Sequence, residues 1–104
     1  MSPVTAKAID QITVPRETLL LGIYEAGIEG CQKQDGRQTS AALVELIGAL
    51  NFEYEEASMG LFRLYEYCLR QIQGKRFGEV ATILADLRDA WTEALQEKGA
   101  LASA

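Results

Sequence analysis

The chain has 104 residues, 48% of them hydrophobic and 24% charged, with nine glycines, two prolines, no histidine and a net charge of −5. That length suits one domain able to bury roughly two-thirds of its unfolded surface, and the apolar content excludes disorder. Ten basic residues against fifteen acidic ones repel phosphates on average, so no nucleic-acid partner is expected.

No apolar run approaches the ~20 residues that span a bilayer, so no membrane insertion is expected. Met1 to Asp10 has neither the basic start nor the apolar centre of a secretion signal. Cys31 and Cys68 lie inside helical patterns, with no C-x-x-C and no histidine. About four nitrogen or sulfur ligands are needed for zinc, so neither a metal nor another cofactor is expected. Buried thiols in a reducing cytoplasm are the expectation.

The first apolar stripe runs Leu20, Ile23, Tyr24, Ile28 and Cys31, the 3–4 spacing of a helix face. Pro15 suits its first turn, and Gly36 stands where a helix C-cap is expected. The second stripe is Leu43, Leu46, Ile47 and Leu50, with Thr39 or Ser40 as N-cap candidates, and Asn51 to Glu53 interrupts it. The third runs Leu61, Phe62, Tyr65, Cys68, Leu69 and Ile72 and ends at Gly74. The fourth is Phe77, Val80, Leu84, Leu87, Trp91, Ala94 and Leu95, with Gly99 after it.

Period-2 alternation is absent, so the spacing predicts an all-α fold: an antiparallel up-down-up-down four-helix bundle with a short N-terminal extension. The helices are expected to run roughly 17–22 residues, about 25–33 Å each. Residues 1–14 form the extension, 15–98 the bundle and 99–104 a frayed tail. Gly22, Gly27 and Gly30 each cost about 1 kcal/mol within the first helix. Either a neighbouring backbone packs closely there, or the helix is kept pliable or a groove kept open for another chain.

Little here points to catalysis. The usual near-neutral proton shuttle is missing with histidine, and no nucleophile elbow occurs. Glu53, Glu55 and Glu56 read as a solvated polar turn, and Asp86 and Asp89 as a solvent face. Glu66 and Arg70 form a favourable i,i+4 pair, with Arg63 and Glu66 similar at i,i+3. No catalytic residue is assigned, and an enzyme is not expected.

Four fragments share an order with one family. They are Pro15 to Ile28, Leu50 to Ala57, Leu64 to Arg70 (LYEYCLR) and Leu87 to Trp91 (LRDAW). Together they resemble the flagellin-specific export chaperones of the FliS type, whose helices carry "sPeqLi.mLYdgaI", "LYdYm.rrL" and "eLReAW" around an "sLdfe" turn. The resemblance spans about Pro15 to Leu95. Val14 replaces the family's Ser or Thr cap, Tyr54 to Glu56 replace its Gly-Gly, and two hairpins are shorter by roughly three helical turns in total. In an up-down-up-down bundle those hairpins share one end, so the trimmed bundle keeps an even height.

The resemblance implies a cytoplasmic, non-enzymatic chaperone of flagellum assembly and protein export. It binds the C-terminal segment of flagellin in apolar surface grooves, prevents premature polymerisation and presents it to the export gate. Leu19 to Tyr24 and Leu61 to Tyr65 spread apolar groups beyond one stripe, a surplus that predicts an exposed groove. The groove is expected on Leu20, Ile23, Tyr24, Leu43, Leu46, Leu50, Leu61, Tyr65 and Leu69. Ile9 and Ile12 are expected to cap it when cargo is absent, and Leu87 and Trp91 to knit the core. The alternative is a regulatory or structural bundle that binds another partner, or forms a cargo-free homodimer through the same surplus.

Overall fold

The computed structural model describes residues 16–97, and four helices lie among them. They are α1 (Arg16–Gln32), α2 (Gly36–Gly48), α3 (Glu55–Gln73) and α4 (Phe77–Glu97), with a 3-10 turn at Phe52–Tyr54. Among the described residues there is no strand. At 13 residues α2 is shorter than expected, because the segment from Ala49 to Tyr54 is spent on the turn into α3.

Each helix packs on its neighbours in sequence, and α1 packs on α4, closing the ring. The α1–α2 and α1–α4 interfaces are the broad ones, while α3 and α4 touch sparingly. The core is one cluster: Tyr24, Ile28 and Cys31 from α1, Leu43 and Leu46 from α2, Tyr65, Cys68 and Ile72 from α3, Val80 and Leu84 from α4. Every member lies on one of the four stripes, since a 3–4 spacing keeps those side chains on one helix face. Leu87 and Trp91 pack against this cluster while keeping some exposure.

The turns are built differently from the expectation. In α1 the closing left-handed residue is Gln34, at φ 54°, not Gly36. The Asp35 N–H reaches the Gly30 carbonyl at 2.7 Å and the Gln34 N–H reaches Cys31 at 3.1 Å, the paired bonds of a Schellman closure. Gly36 is instead the first residue of α2, whose N-cap is Asp35, accepting from the Gln38 N–H at 3.1 Å. Thr39 caps nothing: it is fully buried one turn inside α2, and its hydroxyl donates to the Asp35 carbonyl at 3.0 Å.

The α3–α4 turn repeats the closure with Lys75 at φ 60°. There Arg76 N–H reaches Gln71 at 3.0 Å and Lys75 N–H reaches Ile72 at 2.9 Å. These two turns meet, because a side chain on Gly36 would lie 3.4 Å from Ile72 Cγ2 and 3.9 Å from Phe77 Cζ. The α2–α3 turn is organised by Asn51, whose side chain accepts from Glu53 N–H at 3.0 Å and whose carbonyl accepts from the Ser58 hydroxyl at 2.6 Å.

Candidate functional site

Along α1 the three glycines meet different surroundings. A Cβ on Gly30 would sit 2.5 Å from Thr39 Oγ1 and 2.9 Å from Thr39 N, and one on Gly27 would sit 2.9 Å from Leu84 Cδ1 and 3.3 Å from Ala42 Cβ. Around Gly22 there is nothing within 4 Å. Near their shared turn α1 and α2 are therefore in backbone-level contact, and away from it they part. Gln38 marks the boundary, its amide donating to the Ala26 carbonyl at 3.0 Å.

Where they part, a groove of about 480 Å³ opens. Leu19, Gly22, Ile23 and Ala26 line it from α1; Gln38, Ala41, Ala42 and Glu45 line it from α2. The small residues form a low floor, Leu19 and Ile23 an apolar wall, and Gln38 and Glu45 a polar rim. Leu19 is 53% exposed, and Val44 on the adjoining face of α2 is 59% exposed. The Phe52–Glu56 turn adds a second exposed feature, with Phe52 51% and Tyr54 70% exposed beside three carboxylates.

Of the nine residues expected in a groove, only Ile23 lines this one. Tyr24, Leu43, Leu46 and Tyr65 are fully buried in the core and present no surface to a partner. Their stripes face the bundle axis, where apolar burial from all four helices is greatest. Leu20, Leu50, Leu61 and Leu69 are partly buried and pack against the core. Ile9 and Ile12 lie outside the described residues.

Behind the groove the core carries a polar network. The Tyr24 and Tyr65 hydroxyls hydrogen-bond to each other, and the Trp91 indole N–H donates to Tyr24 at 3.1 Å. Burial pushes both phenols up, and among the described residues no buried side-chain polar atom lacks a partner. The network ties α1, α3 and α4 together across the axis. It is neutral and its two phenols are buried, so it serves to hold the fold.

The thiols are likewise inert. Burial raises Cys68 from its ordinary 9.0 to about 11, and it raises Cys31 too. Both are free and buried, the opposite of a reactive thiolate's surroundings. Among the described residues no cluster of His, Cys, Asp or Glu could hold a metal ion, and no helix is long and apolar enough to cross a membrane.

Charges on the outside pair within helices, Glu66 with Arg70 at 2.9 Å, Glu29 with Lys33 at 2.6 Å and Arg88 with Asp89 at 3.0 Å, and Arg88 also reaches across to Glu25 on α1 at 2.9 Å. Glu66 spends its contact on Arg70, and Arg63 does not join it. Such exposed pairs contribute little to stability.

No family model, curated protein or solved structure matches this chain.

Proposed function

We propose that the four helices run up-down-up-down and that the protein is a cytoplasmic, non-enzymatic export chaperone for the C-terminal segment of flagellin. On this reading the α1–α2 groove receives an apolar helical face of the cargo and holds it back from polymerising until the export gate takes it. The observation that carries the reading is the open space over Gly22, floored by Ala26, Ala41 and Ala42. Small residues at that level let a partner backbone approach closely while Leu19 and Ile23 cover its apolar side chains. The ring of neighbours α1–α2–α3–α4 and the meeting of the two three-residue turns support the antiparallel arrangement. The resemblance of four fragments in one order supports the choice of cargo.

Isothermal titration with a peptide spanning the C-terminal segment of the host's flagellin tests this. One-to-one binding with a negative heat-capacity change is expected, the mark of apolar burial. Filling the groove with Gly22→Leu should weaken it at least tenfold without unfolding the protein. Absence of binding, or binding indifferent to Gly22→Leu, overturns the reading.

A further inference from the structure

The outer face of α2 is unusual for a surface helix. In thirteen residues α2 carries two charged side chains, Arg37 in its first turn and Glu45 in its last. Between and beside them the exposed positions are Ala41, Val44 and Gly48. These five positions, spaced 37, 41, 44, 45 and 48, share one face of the helix, opposite the core residues Thr39, Leu43 and Leu46. Surface helices normally turn a charged or polar face to water; this one is apolar and small through its centre.

Both charges are also placed against the helix dipole. The N-terminus of a helix favours anions and its C-terminus cations, yet Arg37 sits at the first and Glu45 at the second. Neither joins an ion pair among the described residues.

We infer that α2 is the core of an isologous homodimer, packed antiparallel against α2 of a second copy about a two-fold axis at Ala41. Arg37 and Glu45 are equidistant from Ala41 in sequence, four residues on either side. A two-fold axis there brings Arg37 opposite Glu45 of the second copy, and Glu45 opposite Arg37 of the second copy, in one operation. Each misplaced charge then meets both an opposite charge and the favourable end of the partner helix. Ala41 lets the two helices approach closely at the axis, and the exposed Val44 beside it is covered. At about 20 Å, α2 is too short to make a standard interface by itself. The apolar rim of the adjoining groove, Leu19 and Gly22, supplies the added area.

The inference rests on α2 and the adjoining rim of α1, not on the identity of the cargo. Sedimentation equilibrium of the full chain, without cargo, tests it. The wild type should show a monomer–dimer equilibrium that weakens with salt. Arg37→Glu and Glu45→Arg should each weaken it about tenfold or more, since each sets like charges face to face twice. The double exchange should restore most of the affinity, because the pair is self-complementary in either sense. Each single variant removes an unfavourable charge from a helix end, so each should melt no lower than the wild type when monomeric. A wild type that stays monomeric at every concentration overturns the inference, and leaves the face to a foreign segment. So does a dimer that ignores the single reversals, or one the double exchange fails to rescue.

Discussion

The two ends of the α1–α2 interface solve opposite problems with the same residue type. At the turn end, Gly30 and Gly27 are spaces that Thr39, Ala42 and Leu84 fill. At the far end Gly22 is a space that nothing fills, and the groove lies over it. A glycine inside a helix costs stability in either case. Within α1 only the turn end recovers that cost through packing; at Gly22, as at Gly60 in α3, nothing recovers it.

Replacing each glycine by alanine separates the two ends most sharply. Gly30→Ala puts a methyl against the Thr39 backbone as well as its hydroxyl, and backbone cannot swing aside. The overpacking outweighs the gain in helix propensity, and a net loss of about 2 kcal/mol is expected. Urea denaturation reads it as a lower midpoint at unchanged slope. A variant as stable as wild type would mean that the turn end is as loose as the groove end.

The open end is held from behind, by the hydrogen bond from Trp91 to Tyr24, one residue from groove-lining Ile23. Trp91 keeps some exposure, so Trp91→Ala should cost about 2 kcal/mol, below the range for a fully buried tryptophan. Trp91→Phe keeps the ring but not the donor and should cost about 1 kcal/mol. Equal losses for the two would show that packing of the ring is irrelevant and the indole donor carries the whole effect. Both are measured by chemical denaturation.

At the groove end the sign reverses. Gly22→Ala adds a methyl to open space and should stabilise the fold by up to about 1 kcal/mol, the helix-propensity difference. The same methyl raises the floor of the groove, so binding of an apolar segment there should fall as stability rises. If Gly22→Ala destabilises, the groove closes in solution and the two ends are alike.

The architecture was legible because each stripe is dense in large apolar residues. Tyr24, Leu43, Tyr65, Val80 and Leu84 all sit at 3–4 spacing and all reach the core. The groove was not legible by the same means. Expecting the largest apolar residues at the partner surface led to Tyr24, Leu43, Leu46 and Tyr65, which the core takes first because burial scales with apolar area. Half of what lines the groove is small, Gly22, Ala26, Ala41 and Ala42, residues that register weakly in any apolar pattern. The cost of Gly22 within a helix was the one signal that could have found it. In the turns, Gly74 ends α3 as expected, but Gly36 does not close α1, and the left-handed positions go to Gln34 and Lys75. The hydrogen bonds back to Gly30 and Gln71 decide that register, and they are invisible to a count of glycines.

The smallest effect tests the closed end at its tip. A left-handed conformation costs a residue with a Cβ roughly 1–2 kcal/mol, and glycine gives back part of that relief through greater freedom in the unfolded chain. Gln34→Gly and Lys75→Gly should therefore each stabilise by about 0.5 kcal/mol, read as a small rise in denaturation midpoint. The side chains themselves matter little at Gln34, which is exposed, and at Lys75, which makes no ion pair among the described residues. A loss of stability in both would mean that the turns do not close through left-handed residues. The two hairpins would then no longer share the geometry that lets Gly36 rest beside Ile72 and Phe77.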